Sequence, residues 1–175
     1  MQKMAAETNT IESDFVQVKE LKMLEEKMTS SGHFFFKKEN LVRWEYFKPY
    51  SYLIIINKDK IIVKDDKKVS NFNISTSKVF KEINDIMLNC IQGKILNQDK
   101  FKFAFFESSA NYKVELSPLN TNLKKALAKI NLYFDKQLTH VVQIEIIEDS
   151  DDRTTIRFNN TKLNILINDE EFNNK

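Results

Sequence analysis

The stretch Gly32–Val63 reads as four consecutive β-strands rich in aromatic and aliphatic side chains, which alternate between the two faces of a strand. Phe34 and Phe36 share one face, with His33, Phe35 and Lys37 opposite. Val42, Trp44 and Tyr46 share a face, with Arg43 and Glu45 opposite, which assigns Val42, Trp44 and Tyr46 to a buried side. Lys48-Pro49 breaks that strand. Tyr50–Ile56 is apolar on both faces, so it needs cover on both: the core on one side, a helix or a partner on the other. Asn57–Lys60 is a polar hairpin turn, and Ile61–Val63 returns.

Upstream, Phe15, Gln17 and Lys19 alternate with Val16 and Val18, which reads as a strand. Leu21–Met28 is compatible with a helix instead. Downstream, strands are expected at Phe101–Phe106, Tyr112–Leu116, Ile130–Phe134, Val141–Ile147 and Arg153–Phe158. Their alternation is regular: Tyr112, Val114 and Leu116 oppose Lys113 and Glu115; Val142, Ile144 and Ile146 oppose Gln143 and Glu145; Ile156 and Phe158 oppose Arg157. Asn122–Ala128 suggests a short helix, and Asp149–Asp152 a turn. The period changes over Ser75–Gly93. There Val79, Phe80, Ile83, Ile86, Met87, Cys90 and Ile91 recur at helical steps, with Ser75, Thr76 or Ser77 as N-cap and Gly93 at the C-terminal end.

The pattern therefore predicts about ten antiparallel strands and one amphipathic helix. The architecture expected is mainly β with α, a strongly curved antiparallel sheet forming an incomplete, open barrel. One helix is too short to cover so wide an apolar face, so a hollow should remain. No repeat or interdomain linker interrupts the chain, and residues 1–175 are expected to form one domain.

Composition narrows the chemistry. The net charge of +2 is spread along the chain, so no basic footprint for nucleic acid stands out. The two glycines exclude a Gly-rich phosphate loop. The single cysteine, Cys90, can form neither an internal disulfide nor a Cys-based zinc site and fits the buried side of the predicted helix. His33 and His140 stand alone on separate strands. The Asp149/Asp151/Asp152 run lacks the glycine and the glutamate of a calcium loop. No nucleophile elbow occurs, and carboxylates on a polar outer face have nothing to shift their pKa. Neither an enzyme nor a metal or cofactor protein is expected. No apolar run reaches the length of a membrane helix.

Three segments carry a family resemblance: Phe15-Val-Gln-Val-Lys, then Gly32-His-Phe-Phe-Phe-Lys-Lys-Glu-Asn-Leu-Val-Arg-Trp-Glu-Tyr, and Lys48-Pro49-Tyr50 ahead of an apolar strand. Over about residues 11–172 the chain resembles the LolA family of periplasmic lipoprotein carriers. The resemblance implies an incomplete barrel closed by a helical lid. It also implies a carrier that takes lipoproteins from an inner-membrane ABC transporter, shields their acyl chains in a hydrophobic cavity and hands them to an outer-membrane acceptor. On that reading Phe34, Phe36, Val42, Trp44, Tyr46, Val142, Ile144 and Ile146 line the cavity, and Phe80, Ile83, Met87 and Ile91 cover it from the lid. Lys38 stands where family members often have the arginine that latches the lid, Glu39 replaces a common proline, and Val42 marks the cavity mouth. The compartment implied is the periplasm, with a signal peptide removed, and the expected state is a monomer. Two alternatives stay open: a carrier of another lipid or acylated pigment, and a lipid-sensing or interaction domain on the same scaffold.

Overall fold

The computed structural model describes residues 7–38, 40–58, 60–65, 68–73, 100–137 and 140–173. Among these residues eleven strands form one antiparallel sheet. They are β1 (Thr10–Leu21), β2 (Glu26–Lys37), β3 (Leu41–Lys48), β4 (Tyr52–Asn57), β5 (Lys60–Asp65), β6 (Val69–Asn73), β7 (Phe101–Glu107), β8 (Asn111–Pro118), β9 (Lys129–Asp135), β10 (Val141–Ile147) and β11 (Arg153–Leu163). The order across the sheet is β6-β5-β4-β3-β2-β1-β11-β10-β9-β8-β7. Two meanders, β1–β6 and β7–β11, are thus joined at their middle by the first and last strands. That central seam runs from Ile11 opposite Leu163 to Glu20 opposite Arg153.

This corrects the expectation of an incomplete barrel covered by a helical lid. Among the described residues the sheet ends at β6 on one side and β7 on the other, with no ladder between them, so it is not closed. Among the described residues the helical pieces are α1 (Thr121–Lys124) and 3₁₀ turns at Lys22–Leu24 and Asp169–Phe172, each about one turn and too short to cover a sheet. A helical lid is not seen among them. The helix expected over Ser75–Gly93, with Phe80, Ile83, Met87, Cys90 and Ile91, lies outside the described residues. Leu21–Met28 is a hairpin rather than a helix: β1 continues to Leu21 and β2 resumes at Glu26, with Glu25 in the left-handed region at φ 53°. The Lys22 backbone N–H donates to the Asp152 carboxylate (2.9 Å), tying this turn to the one between β10 and β11.

One face of the sheet carries a continuous apolar cluster from Ile61 in β5 to Phe101 in β7. This face is the concave one. Trp44 on β3 and Phe158 on β11 stand three strands apart, about 14 Å across a flat sheet, yet their rings lie 5.9 Å apart. Gly32 is required at the centre. A Cβ there would meet the Glu45 carbonyl oxygen at 1.8 Å. Its missing side chain also lets Phe15 and Tyr46, its neighbours on either side, touch edge to face at 4.9 Å.

A smaller cluster lies on the opposite face. Leu53 and Ile55 of β4 pack with Phe35, Leu41 and Ile62 beneath Ile165, Ile167 and Phe172 of the C-terminal segment. The strand expected to need cover on both sides has it, and the cover is this extended tail. Long basic side chains on that face hold the tail by its backbone: Lys37 Nζ donates to the Ile167 carbonyl (2.9 Å) and Arg43 Nη1 to the Glu171 carbonyl (3.0 Å). The Thr10 hydroxyl donates to the Ile165 carbonyl (2.6 Å).

Candidate functional site: the concave apolar face

The expected cargo-lining residues divide into those the fold brings together and one it does not. Phe34 pairs directly with Trp44 across β2 and β3, and their rings lie 4.6 Å apart. Phe36 sits opposite Val42 in the same ladder. All four are buried in the concave cluster, and Tyr46 is half-buried at its margin. Ile144 is buried and Ile146 half-buried in the same cluster, one strand beyond β11. Val142 does not join them. A β-bulge between Val141 and Gln143 resets the alternation, so Val141, opposite Phe134, packs against the cluster in its place.

Several members of this face were not assigned as lining residues from sequence. Phe15 is the chief one: it is 1% exposed and contacts both Trp44 and Tyr46 at 4.9 Å. Its strand shows alternation, but Val16 and Val18 opposite make both faces look apolar, which hides the inner side. Phe158, 5.6 Å from Phe34, and Val114, Leu116, Leu132 and Phe134 are further members. Their alternating strands carried a readable signal. What sequence did not reveal is that β11 lies beside β1, which brings Phe158 to Phe34.

The concave face has a polar boundary. Gln17 sits opposite Ile156 on this side of the sheet, and its amide oxygen accepts a hydrogen bond from the Tyr46 hydroxyl (3.2 Å). Burial, reinforced by Tyr52 nearby, pushes the Tyr46 phenol up to about 12. Two strand positions beyond Gln17, Lys19 pairs with Glu148 (3.3 Å). The face therefore grades from hydrocarbon at Phe36 to neutral hydrogen-bonding groups at Gln17 and then to charge at Lys19. That arrangement suits an amphiphile. Among the described residues its buried centre is apolar.

The remaining candidates fall elsewhere. His33 is on the outer face, 2.5 Å from an Asp14 carboxylate oxygen and edge-on to Phe35 and Phe47. His140 follows the turn after β9, and its backbone N–H donates to Asp135 (3.0 Å). Among the described residues no group of three or more His, Cys, Asp or Glu side chains could hold a metal. Lys38 lies in the β2–β3 turn, its backbone N–H bonded to the Asn9 carbonyl (2.8 Å); the helix it was expected to latch is outside the described residues. A cleft of about 460 Å³ where the β1–β2 turn meets the β10–β11 turn is charged instead of greasy. Its Glu20 and Lys27 pair at 2.8 Å, and its Arg153 reaches Glu145 at 3.3 Å.

Comparison with known proteins agrees with this geometry. The family model described as outer membrane lipoprotein carrier protein LolA matches residues 6–175. No curated protein matches the sequence. Among solved structures, an uncharacterized conserved protein from Thermus thermophilus is similar at a TM-score of 0.58 and 10% identity, over 98% of this chain and 91% of that one. A DUF1329 family protein from Desulfovibrio piger gives a TM-score of 0.53 at 12% identity, over 98% and 92%. The Pseudomonas aeruginosa MucA/MucB complex gives 0.57 at 7% identity, covering 99% of this chain and 58% of the matched chain. At such identities the likeness is one of fold. The family match spans nearly the whole chain, and it describes carriers: this protein belongs to the LolA family.

Proposed function

We propose that this protein is a periplasmic carrier that shelters the acyl chains of lipoproteins against its concave face and conveys them from an inner-membrane ABC transporter to the outer membrane. The observation that carries the reading is the family match over residues 6–175, set on a sheet whose concave side is apolar from β5 to β7. Each methylene withdrawn from water contributes ~0.8 kcal/mol, so an acyl anchor supplies the affinity by itself. The protein has only to offer an apolar surface and a place for the polar end. Phe34, Phe36, Val42, Trp44, Ile144 and Ile146, with Phe15 and Phe158, are packed in one cluster here and would form that surface when the chains enter among them. Gln17 and Tyr46 would meet the ester and amide groups where the chains join the lipoprotein.

Trp44 is the single tryptophan, so its emission reports on this face alone. Titration with a triacylated lipopeptide should shift that emission saturably, and native mass spectrometry should find acylated material co-purified with the protein. A Trp44 spectrum unmoved by lipopeptide, together with a ligand-free native mass, would end the reading. A fatty acid or pigment ester in that spectrum would favour the carrier of another lipid. An interaction domain is the second reading, supported by the similarity to the MucA/MucB complex. It predicts that a protein partner binds with the concave face empty of lipid.

A further inference from the structure

The two edges of the sheet are built differently. β6 is only five residues long (Val-Ser-Asn-Phe-Asn), three of them polar, which limits pairing with a foreign strand. Among the described residues β7 (Phe-Lys-Phe-Ala-Phe-Phe-Glu) has one of the usual protections, Lys102. It pairs with β8 over seven consecutive residues without a bulge, carries no proline, and exposes Phe105 at 59% and Phe106 at 47%.

The phase of its free hydrogen-bonding groups can be fixed. The Leu119 N–H donates to the Lys100 carbonyl, and the Ser108 N–H to the Asn111 carbonyl, so positions 100 and 108 point their backbone groups toward β8. Strand residues alternate, so 102, 104 and 106 do the same. The N–H and C=O groups of Phe101, Phe103, Phe105 and Glu107 point outward, where no strand among the described residues pairs with them.

We propose that β7 is a self-association seam, through which two copies of this chain join antiparallel about a two-fold axis at Ala104. Only this register overlaps all seven residues. It places Phe103 opposite Phe105 and Phe101 opposite Glu107 of the second copy as the hydrogen-bonded pairs. Ala104 meets Ala104 at the axis, a close pair where a small side chain fits. Lys102 falls opposite Phe106 of the second copy, the same cation-over-ring chemistry that Lys113 already makes with Phe106 at 4.1 Å within one chain. No like charges face each other. The strand is complementary to itself, which selects a second copy over an unrelated peptide.

Sedimentation equilibrium on the full chain, from about 1 µM to about 1 mM, tests this. The wild type should pass from monomer to dimer in that range. Phe105→Pro deletes an outward N–H and no β7–β8 bond, and should weaken the dimer at least tenfold. Phe106→Lys should do the same by facing Lys102. Adding Lys102→Glu to Phe106→Lys should restore the dimer, because Glu and Lys then meet across the axis. Circular dichroism melts confirm that each variant is folded; should Phe105→Pro fail to fold, the charge-swap pair carries the test. A wild type that stays monomeric at 1 mM overturns the seam, as does a dimer indifferent to every substitution. Failure of the swap to restore pairing overturns the register.

Discussion

The two halves of this sheet share an inner face and differ on the outside. The outer face of β2–β5 is apolar: Phe35, Leu41, Leu53, Ile55 and Ile62 lie beneath Ile165, Ile167 and Phe172. The outer face of β8–β10 is a polar lattice. Asn131 stands between Glu115 and Glu145 on the neighbouring strands and donates to Glu145 (2.5 Å). Lys129 pairs with Glu115 (2.9 Å) and Arg153 with Glu145 (3.3 Å). A strand apolar on one face needs one layer of cover, and a strand apolar on both needs two. The C-terminal tail supplies the second layer to the first half, and the polar half has no need of one.

Breaking the tail should therefore have the largest effect. Phe172 is 0% exposed and fills the outer cluster. Phe172→Ala should lower stability by about 3–5 kcal/mol in urea denaturation. Tyr133→Ala, on the outer face of the other half, should cost well under half as much. Equal losses at the two sites would erase the distinction between the halves.

How much of this was legible follows from the same contrast. The alternating strands Val42–Tyr46 and Tyr112–Leu116 were readable because period two is a local property. The unbroken run at Tyr52–Ile56 correctly announced two covered faces, but not that the cover would come from residues more than 100 positions later in the chain. That depends on β1 pairing with β11, a long-range fact that no local pattern encodes. The bulge at Val141–Gln143 was invisible for a related reason. Val141 and Val142 are both apolar and β-branched, and only the ladder to β9 decides which one faces in. The short turn at Lys22–Leu24 was obscured by good helix formers on both sides of it.

Alkaline titration separates the inner face from the outer by the next largest amount. Burial holds the Tyr46 phenol up at about 12. An acid whose folded pKa lies above its unfolded value near 10 contributes stability that is whole below pH about 10 and is lost as pH climbs through 12. The loss is at most about 3 kcal/mol. Tyr46→Phe should flatten this decline, and the effect is read as a higher midpoint of alkaline unfolding. On the outer face the Tyr133 phenol is also raised, by burial first and Glu145 second. Tyr133 is more open to solvent, so Tyr133→Phe should move the midpoint less. A larger response from Tyr133 would place the more sheltered phenol on the wrong side of the sheet.

The polar lattice itself should yield smaller changes. Glu145→Leu removes the acceptor of the buried Asn131 amide and the partner of Arg153, at about 1–2 kcal/mol. Adding Asn131→Leu should recover most of that, because an apolar pair leaves no donor unsatisfied. If the double variant is worse than the single one, the outer face of β9 and β10 needs its polarity for more than hydrogen bonding.

The smallest effect tests whether charge on that face contributes to stability at all. Lys129 reaches Glu115 at 2.9 Å, but its side chain is 36% exposed. Exposed pairs are worth about 0–1 kcal/mol, because water already solvates both partners and salt screens what remains. Lys129→Met keeps the aliphatic stem over the sheet and deletes only the charge. Its cost should be under about 1 kcal/mol and should vanish in molar salt. Lys113, 3.6 Å from the same carboxylate, provides a second partner when Lys129 is lost. A salt-insensitive loss would mean that the stem of Lys129, packed on the sheet, does on a small scale what the C-terminal tail does for the other half.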